Sequence, residues 1–229
     1  MIAFLDMITA AFEPFPVLLA LVPLIGYLLV FSVIRLSGRA LVTTGGRDVA
    51  VLAMGISGLI AVGPLELFFP TAAAMVFGWL VWFALAGFYG LCVTLIALTV
   101  EPKLVIYGRS PDESFDAVLQ AARKLDPAAT GDDRSLQIEM PSVGLRLRVD
   151  GHRGIDYSQV LAFEPNVAPK FWGQMLSELR SQVSEGPVPN PRRGFAMLVV
   201  ALGLGAFLAW QSFGNQELVV EGFRNWLWR

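Results

Sequence analysis

The most constraining feature of this sequence is a long stretch without charge. Residues 67–100 contain no Asp, Glu, Lys or Arg. About 20 consecutive apolar residues are enough to cross the hydrocarbon core of a bilayer as a helix. This stretch is longer, so it predicts a spanning helix that is tilted or that extends beyond the lipid at one end. Further apolar segments lie before and after it, which indicates a chain that crosses a membrane several times.

Four spans are predicted, at about residues 15–34, 49–65, 70–99 and 194–213. They divide the chain into an N-terminal membrane region (1–100), a soluble domain (101–190) and a C-terminal region (191–229). The C-terminal region holds the fourth span and a tail whose Trp226 and Trp228 suit the headgroup layer. A disordered hydrophobic tail is the alternative.

The ends of the chain and of the soluble domain carry weaker signals. The first 14 residues are compatible with a short interfacial helix or with a frayed terminus. They hold Asp6 and Glu13 and no positive side chain, so we expect the first span, instead of a cleaved signal, to direct insertion. Residues 186–191 (GPVPNP) predict a stiff linker into the fourth span.

Basic residues near the ends of the spans predict the orientation, because they concentrate on the cytoplasmic side. Acidic residues mark the opposite side at Asp6, Glu13, Glu66, Glu217 and Glu221. With four spans, both termini then lie outside and residues 101–193 lie in the cytoplasm; in a bacterium the membrane would be the inner membrane. The basic side comprises Arg35, Arg39, Arg47, Lys103, Arg109, Arg192 and Arg193.

The soluble domain reads as a small α+β fold with the order β-α-β-β-β-α. Residues 103–107 predict a strand, and Ser110-Pro111-Asp112-Glu113 is a capping box that opens a helix. Alternating apolar residues predict strands over 136–140, 145–149 and 157–163. A second helix follows Pro169, after a polar loop at 127–134 and short turns between the strands. We expect an antiparallel sheet with both helices on one face and the other face wet.

No motif in the sequence names a reaction, and we expect no catalytic residue, no metal and no cofactor. His152 is the only histidine and lies in a glycine-flanked turn, and Cys92 is the only cysteine. The formal net charge of −2 argues against nucleic acid as a partner. The cores of the spans lack ionisable side chains, which argues against an ion-coupled carrier.

Two sets of residues are candidates for contacts. Basic side chains of the soluble domain are candidates for anionic headgroups or a partner surface: Arg109, Arg146, Arg148 and Lys170. Small residues in the spans let helix backbones approach closely. They predict packing within the bundle, with a homo-oligomer as the alternative: Gly55, Gly58, Ala74, Gly78, Ala86, Gly90, Ala201 and Gly205.

These features favour a non-catalytic interaction or assembly subunit that presents a small cytoplasmic domain at the surface of the lipid bilayer. Its partners would be other membrane protein subunits. The alternative is a protein that senses or handles lipid, including an enzyme that acts at the headgroup layer. A passive pore is disfavoured, because four helices with short loops just fill their own core.

Overall fold

A computed structural model describes residues 14–37, 40–152, 156–185 and 192–227. The chain forms two compact units. The span unit comprises Met1–Val30, Ala50–Leu95 and Ala196–Arg229, and the head unit comprises Phe31–Val49 and Ile96–Phe195. The predictions for residues 1–13 and for the linker at 186–191 lie outside the described residues.

Within these described residues, four helices are long and apolar enough to cross a membrane, which agrees with the four predicted spans. In the numbering given in the next sentence, these four helices are α1, α2, α5 and α8. The helices are α1 (Pro14–Leu36), α2 (Gly45–Val62), α3 (Pro64–Leu67), α4 (Thr71–Phe77), α5 (Leu80–Thr99), α6 (Pro111–Leu125), α7 (Pro169–Glu185), α8 (Arg192–Gly214) and α9 (Gln216–Leu227).

The third span is shorter than the sequence predicts. Residues 70–99 were expected to form one helix, but α4 ends at Phe77 and α5 begins at Leu80. Gly78 separates them with a φ of +54°, a conformation that side-chain-bearing residues rarely adopt. Its N–H donates to the carbonyl oxygen of Ala74 at 2.8 Å, which ends α4. Gly78 therefore separates two helices, and only α5 is long and apolar enough to cross a membrane.

The head unit contains an antiparallel sheet, as predicted, but with two more strands. The sheet runs in the order β1-β2-β6-β5-β4-β3. The additional strands are β1, in the connection between α1 and α2, and β3, in the segment that the sequence predicts to be a polar loop. The strands are β1 (Leu41–Thr44), β2 (Leu104–Tyr107), β3 (Thr130–Asp132), β4 (Gln137–Met140), β5 (Leu145–Asp150) and β6 (Tyr157–Ala162).

Strand β1 makes the connection between α1 and α2 part of the head. It pairs antiparallel with β2, with Leu41 opposite Tyr107 and Thr44 opposite Leu104. The side chain of Val42 is only 3% exposed and belongs to the core of the head. Arg180 of α7 donates from Nε and Nη2 to the carbonyl oxygen of Val42, at 3.2 and 3.1 Å. Strand β1 is the edge of the sheet, where unpaired backbone groups can bind a further strand. The contact with Arg180 occupies one of these groups.

The core lies between the sheet and two helices, α6 and α7, on one face. The predicted alternation places the apolar residues of β4 and β5 on this face, and α6 begins with the predicted capping box. Ser110 N–H donates to Glu113 Oε2 at 2.8 Å, and Glu113 N–H donates to Ser110 Oγ at 3.4 Å. Among the fully buried core residues are Leu104, Ile106, Val118, Ile138, Met140, Leu147, Val160, Met175 and Leu179.

The position of β1 gives a test of the enlarged sheet. Replacing Val42 by Ala deletes two buried carbon atoms from the core and should lower the free energy of unfolding of the head by about 1–2 kcal/mol. Hydrogen exchange of head amides in the full-length protein in detergent measures this change. Val143→Ala is the control, because Val143 is 46% exposed and its truncation should change stability by under about 0.5 kcal/mol. Equal, small effects of both substitutions would contradict the assignment of β1.

Candidate functional site

The face of the sheet opposite α6 and α7 carries the polar residues that the sequence singled out on β5. Side chains alternate along a strand, so Arg146 and Arg148 point away from the core that Leu147 enters. The same face continues from the β5–β4 half of the sheet to the β6–β2 half. We call its outer half the charged sheet face, which comprises Gln137, Glu139, Arg146, Arg148 and Asp150.

Both arginines of the charged sheet face have acidic partners nearby. Arg146 donates from its backbone N–H and from Nε to the carboxylate of Glu164, at 2.9 and 3.4 Å. Its guanidinium carbon also lies 5.3 Å from the ring centroid of Phe163. Arg148 Nη2 lies 3.8 Å from Asp150 Oδ1. The backbone N–H of Arg146 lowers the pKa of Glu164, a shift that partial burial opposes, so this carboxylate stays charged at neutral pH.

The pairing of β4 with β5 extends this alternation of charge. Glu139 lies directly opposite Arg146, and Gln137 lies opposite Arg148. Opposite charges in directly opposed pairs stabilise a sheet. The charged sheet face therefore holds two bases and two acids, so it is balanced in charge rather than basic.

The remaining two basic candidates do not share this face. Arg109 is 4% exposed, and its Nη2 donates to the carbonyl oxygen of Val183 at 2.7 Å, which ties the entry of α6 to the end of α7. Burial lowers the pKa of Arg109, and Glu113 opposes this shift. Arg109 thus holds the head together and is not available as a surface contact. Lys170 is exposed at the start of α7, on the helix side of the sheet.

The inner half of the same sheet face contacts the ends of two apolar helices. We call this region the helix-end junction, and it comprises Phe31, Arg35, Asp48, Tyr107 and Asp156. The ring of Phe31 meets Tyr107 edge-on at 4.7 Å between centroids. The hydroxyl of Tyr107 donates to Asp48 Oδ1 at 2.6 Å, and Arg35 Nη2 donates to the carbonyl oxygen of Asp156 at 3.2 Å. Residues from α1, from α2 and from the sheet are thereby joined.

Two glycines let the backbone segments of the junction approach closely. A Cβ at Gly46, in the first turn of α2, would lie 2.7 Å from the carbonyl oxygen of Ala97, near the end of α5. A Cβ at Gly194 would lie 3.0 Å from Cβ of Arg35. Glycine is the residue that permits such approaches. The start of α2 at Gly46 is therefore in close contact with the end of α5.

A row of polar groups links the helix-end junction to the charged sheet face. Lys103 Nζ donates to Gln159 Oε1 at 3.2 Å, and Gln159 Nε2 donates to Asp150 Oδ2 at 3.4 Å. Tyr157 lies beside Tyr107, with ring centroids 5.4 Å apart. Burial raises the pKa of Tyr157, and the charges of Asp48 and Asp150 raise it further, so its hydroxyl stays neutral. Hydrogen bonds on this face therefore run from Lys103 through Gln159 to Asp150.

A cleft of about 320 Å³ adjoins the charged sheet face at Glu164. Apolar side chains supply much of its lining, together with the carboxylates of Glu101 and Glu164. Trp172 is 7% exposed and Phe163 is 46% exposed, so the cleft has both a buried and an accessible ring. The lining also includes Pro102, Leu161, Pro165 and Val167.

The small residues of the spans fall into two groups. A Cβ at Gly55 would lie 2.8 Å from the ring of Tyr27, and one at Gly58 would overlap the carbonyl oxygen of Leu19, so both glycines allow α1 and α2 to pack. Ala74 and Ala201 are buried, at 4% and 1% exposure. Three positions have open space, with nothing within 4 Å of an added Cβ: Gly78, Gly90 and Gly205. Ala86 is exposed.

The described part of the chain shows no group of three or more His, Cys, Asp or Glu side chains that could hold a metal ion. His152 is exposed in its turn, and Cys92 is a free thiol in α5. Neither residue lies in the helix-end junction or on the charged sheet face.

Sequence reasoning missed the helix-end junction. Tyr107 and Asp48 are distant in the sequence, and no spacing links them. The usable signal was the pattern Leu-Val-Thr-Thr at 41–44, since β-branched residues favour strands. A strand at that place would have brought Asp48 to the sheet.

Comparison with known proteins gives no relative for this chain. No protein-family model, no curated protein and no solved structure matches it.

The hydrogen bond between Tyr107 and Asp48 gives a test of the helix-end junction. Tyr107→Phe keeps the ring contacts but leaves the carboxylate without this donor, so the pairing of β1 with β2 should weaken by about 1–2 kcal/mol. Hydrogen exchange of the β1 and β2 amides in the full chain measures this change. Tyr157→Phe is the matched control on the same face, and it should leave those amides protected. Faster exchange in the control alone would refute the assigned role of Tyr107.

The close approach at Gly58 gives a test of span packing. Gly58→Ala places a methyl group against the backbone of α1 and should destabilise the span unit by about 1–3 kcal/mol. Gly90→Ala is the control, because open space surrounds Gly90 and Ala is the better helix former by about 1 kcal/mol. Thermal aggregation in mild detergent should begin earlier for the first variant and no earlier for the second. The reverse order would contradict this packing of α1 on α2.

Proposed function

We propose that this protein is a non-catalytic assembly subunit of the membrane. Its apolar helices hold the head at the bilayer, and the charged sheet face with its adjoining cleft binds another membrane protein subunit. The observation that carries the proposal is that one sheet face both contacts the ends of the helices and displays balanced charges beside an aromatic cleft.

The charges of the face favour a protein partner over a lipid surface. An anionic bilayer attracts clusters of unpaired basic side chains, at about 1 kcal/mol for each. Here Arg146 lies against Glu164 and Glu139, and Arg148 lies near Asp150. A surface with both signs of charge selects a complementary surface and rejects others by like-charge contact. The alternative function, sensing or handling headgroups, is therefore the weaker one.

The adjoining cleft supplies the apolar part of such an interface. Binding energy in protein interfaces concentrates in aromatic and aliphatic anchors that enter pockets, with a polar rim around them. The cleft offers Phe163 and Trp172 to an inserted side chain, and Glu101 and Glu164 at its margin. We infer that a partner inserts an apolar or basic side chain there.

The orientation that accompanies this proposal follows from the distribution of charge. Arg35, Arg47 and Lys103 lie at helix ends of the head unit, whereas Glu217 and Glu221 lie on α9. The rule that basic residues remain inside places the head in the cytoplasm and both termini outside. In a bacterial cell the protein would then lie in the inner membrane.

Site-specific photo-crosslinking in native membranes tests the proposed function. A photoreactive residue at Gln137, on the charged sheet face, should form a product with one defined protein. The same residue at Gln120, which is exposed on α6, should not form that product. Reversing the charges of Arg146 and Arg148 to Glu should reduce the product at least tenfold, which is a loss of about 1.4 kcal/mol.

The double reversal Lys124→Glu and Lys170→Glu is the matched control, since it makes the same change in net charge on the helix side of the head. It should leave the product unchanged. Equal crosslinking from positions 137 and 120, or products with lipid alone, would refute the assembly function. A product with a second copy of this chain would identify the partner as the protein itself.

A further inference from the structure

The span unit contains an apolar groove that the proposed function does not use. Its volume is about 340 Å³, and its lining is almost entirely apolar. Four helices form it: the end of α2, the short α3, the start of α5 and the end of α9. We call it the span groove, and its lining includes Ala61, Leu65, Trp82, Ala86, Trp226 and Leu227.

A stacked pair of tryptophans forms one wall of the groove. The rings of Trp82 and Trp226 lie 3.6 Å apart with an angle of 22° between them. Trp82 Nε1 also donates to the carbonyl oxygen of Trp226 at 3.1 Å. These contacts fix the end of α9 against α5, so this wall of the groove forms without a bound molecule.

The rest of α9 is fixed in the same way. Phe223 meets Phe15 edge-on at 5.7 Å between centroids, and a Cβ at Gly222 would lie 2.7 Å from Cβ of Phe15. The polar side of α9 carries Glu217, Glu221 and Arg224. Its net negative charge gives no attraction to anionic headgroups, so the aromatic contacts are what hold this helix beside the spans.

Two alanines leave space in the groove. Ala61 and Ala86 contribute only methyl groups, where larger side chains would fill the volume. A packed interior does not tolerate such a void, and an apolar groove at the surface of spanning helices is in contact with hydrocarbon rather than water. The occupant must therefore be apolar.

The size of the groove selects among apolar occupants. A transmembrane helix of about 10 Å diameter occupies roughly 400 Å³ in a single turn and needs several turns to pack. The lining of the span groove extends over only about one turn of α5, from Trp82 to Ala86, so it is too short to seat a helix of a partner or of a second copy. A flexible hydrocarbon chain can lie in a short, narrow groove, because it does not need to pack over several helical turns. Tryptophans concentrate at the level of headgroups and glycerol. The end of an acyl chain that is attached to glycerol lies at the same level.

We propose that the span groove binds one acyl chain of a membrane phospholipid between α2, α5 and α9. The bound chain packs on Ala61 and Ala86 and lies against the tryptophan pair. This site is independent of the charged sheet face, so it stands or fails separately from the assembly function.

Native mass spectrometry of the full-length protein tests the site. The delipidated protein is incubated with dioleoylphosphatidylcholine in mixed micelles and then released from detergent. The wild type should retain one phospholipid per chain. Ala86→Phe and Ala61→Phe each fill the groove and should reduce the retained phospholipid at least fivefold. Ala84→Phe is the control, because Ala84 is exposed on α5 and does not line the groove, and its retention should lie within twofold of the wild type.

The remaining outcomes also decide the question. Equal retention by all variants, or equal loss in Ala84→Phe, would overturn the proposal, and so would competition by glycerophosphocholine, which has a headgroup but no acyl chain. A dimer mass in place of a bound lipid would overturn it in favour of a second copy. If neither Ala86→Phe nor Ala61→Phe folds, a second measurement uses the wild type. Phospholipids with brominated acyl chains should then quench the fluorescence of Trp82. The variant Trp82→Phe should lack the part of the tryptophan fluorescence that these chains quench in the wild type. If that quenched part persists in the variant, the site is refuted.

Discussion

The antiparallel pairing of β1 with β2 is the interaction on which the head depends. Thr44 pairs with Leu104, so the ladder joins parts of the chain that two apolar helices, α2 and α5, separate. The same ladder sets the position of Tyr107 and, one helical turn after β1, of Asp48. The hydrogen bond between these two residues, the contact with Phe31 and the close approach at Gly46 all require β1 to lie where it does. Arg180 then occupies the outer edge, which gives the sheet a definite end on this side.

The two units carry different kinds of surface. The head has paired charges and a cleft with aromatic walls, which is the anatomy of a specific protein interface. The span unit has an apolar groove whose wall is a pair of stacked indoles. The proposed partner surface and the proposed acyl-chain site thus rest on separate residues of one polypeptide. Each is built by contacts between segments distant in the sequence: Arg146 with Glu164 in the head, and Trp82 with Trp226 in the span unit.

Periodicity and charge were sufficient to predict the elements that repeat a pattern over many residues. The four apolar helices, the alternation on β4 and β5, and the capping box at Ser110 follow from hydropathy and from local chemistry alone. Strands β1 and β3 escape such reasoning, because Thr130–Asp132 has no apolar alternation and Leu41–Thr44 lies between arginines and glycines. Arg109 was expected on the surface because charge is costly to bury, and only tertiary structure reveals the carbonyl oxygen of Val183 that accepts from it. Gly78 was expected to let helices pack within one long span, but its positive φ separates α4 from α5.

The interruption of the sheet by two apolar helices has a consequence for biogenesis. A ribosome adds about 5–20 residues per second, so β1 waits on the order of 3–12 s for β2, which is about 60 residues later. The cap from Arg180 arrives later still. During that interval α2 and α5 are synthesised while β1 has no partner strand. The sheet can therefore close only after Tyr107, the last residue of β2, has been made.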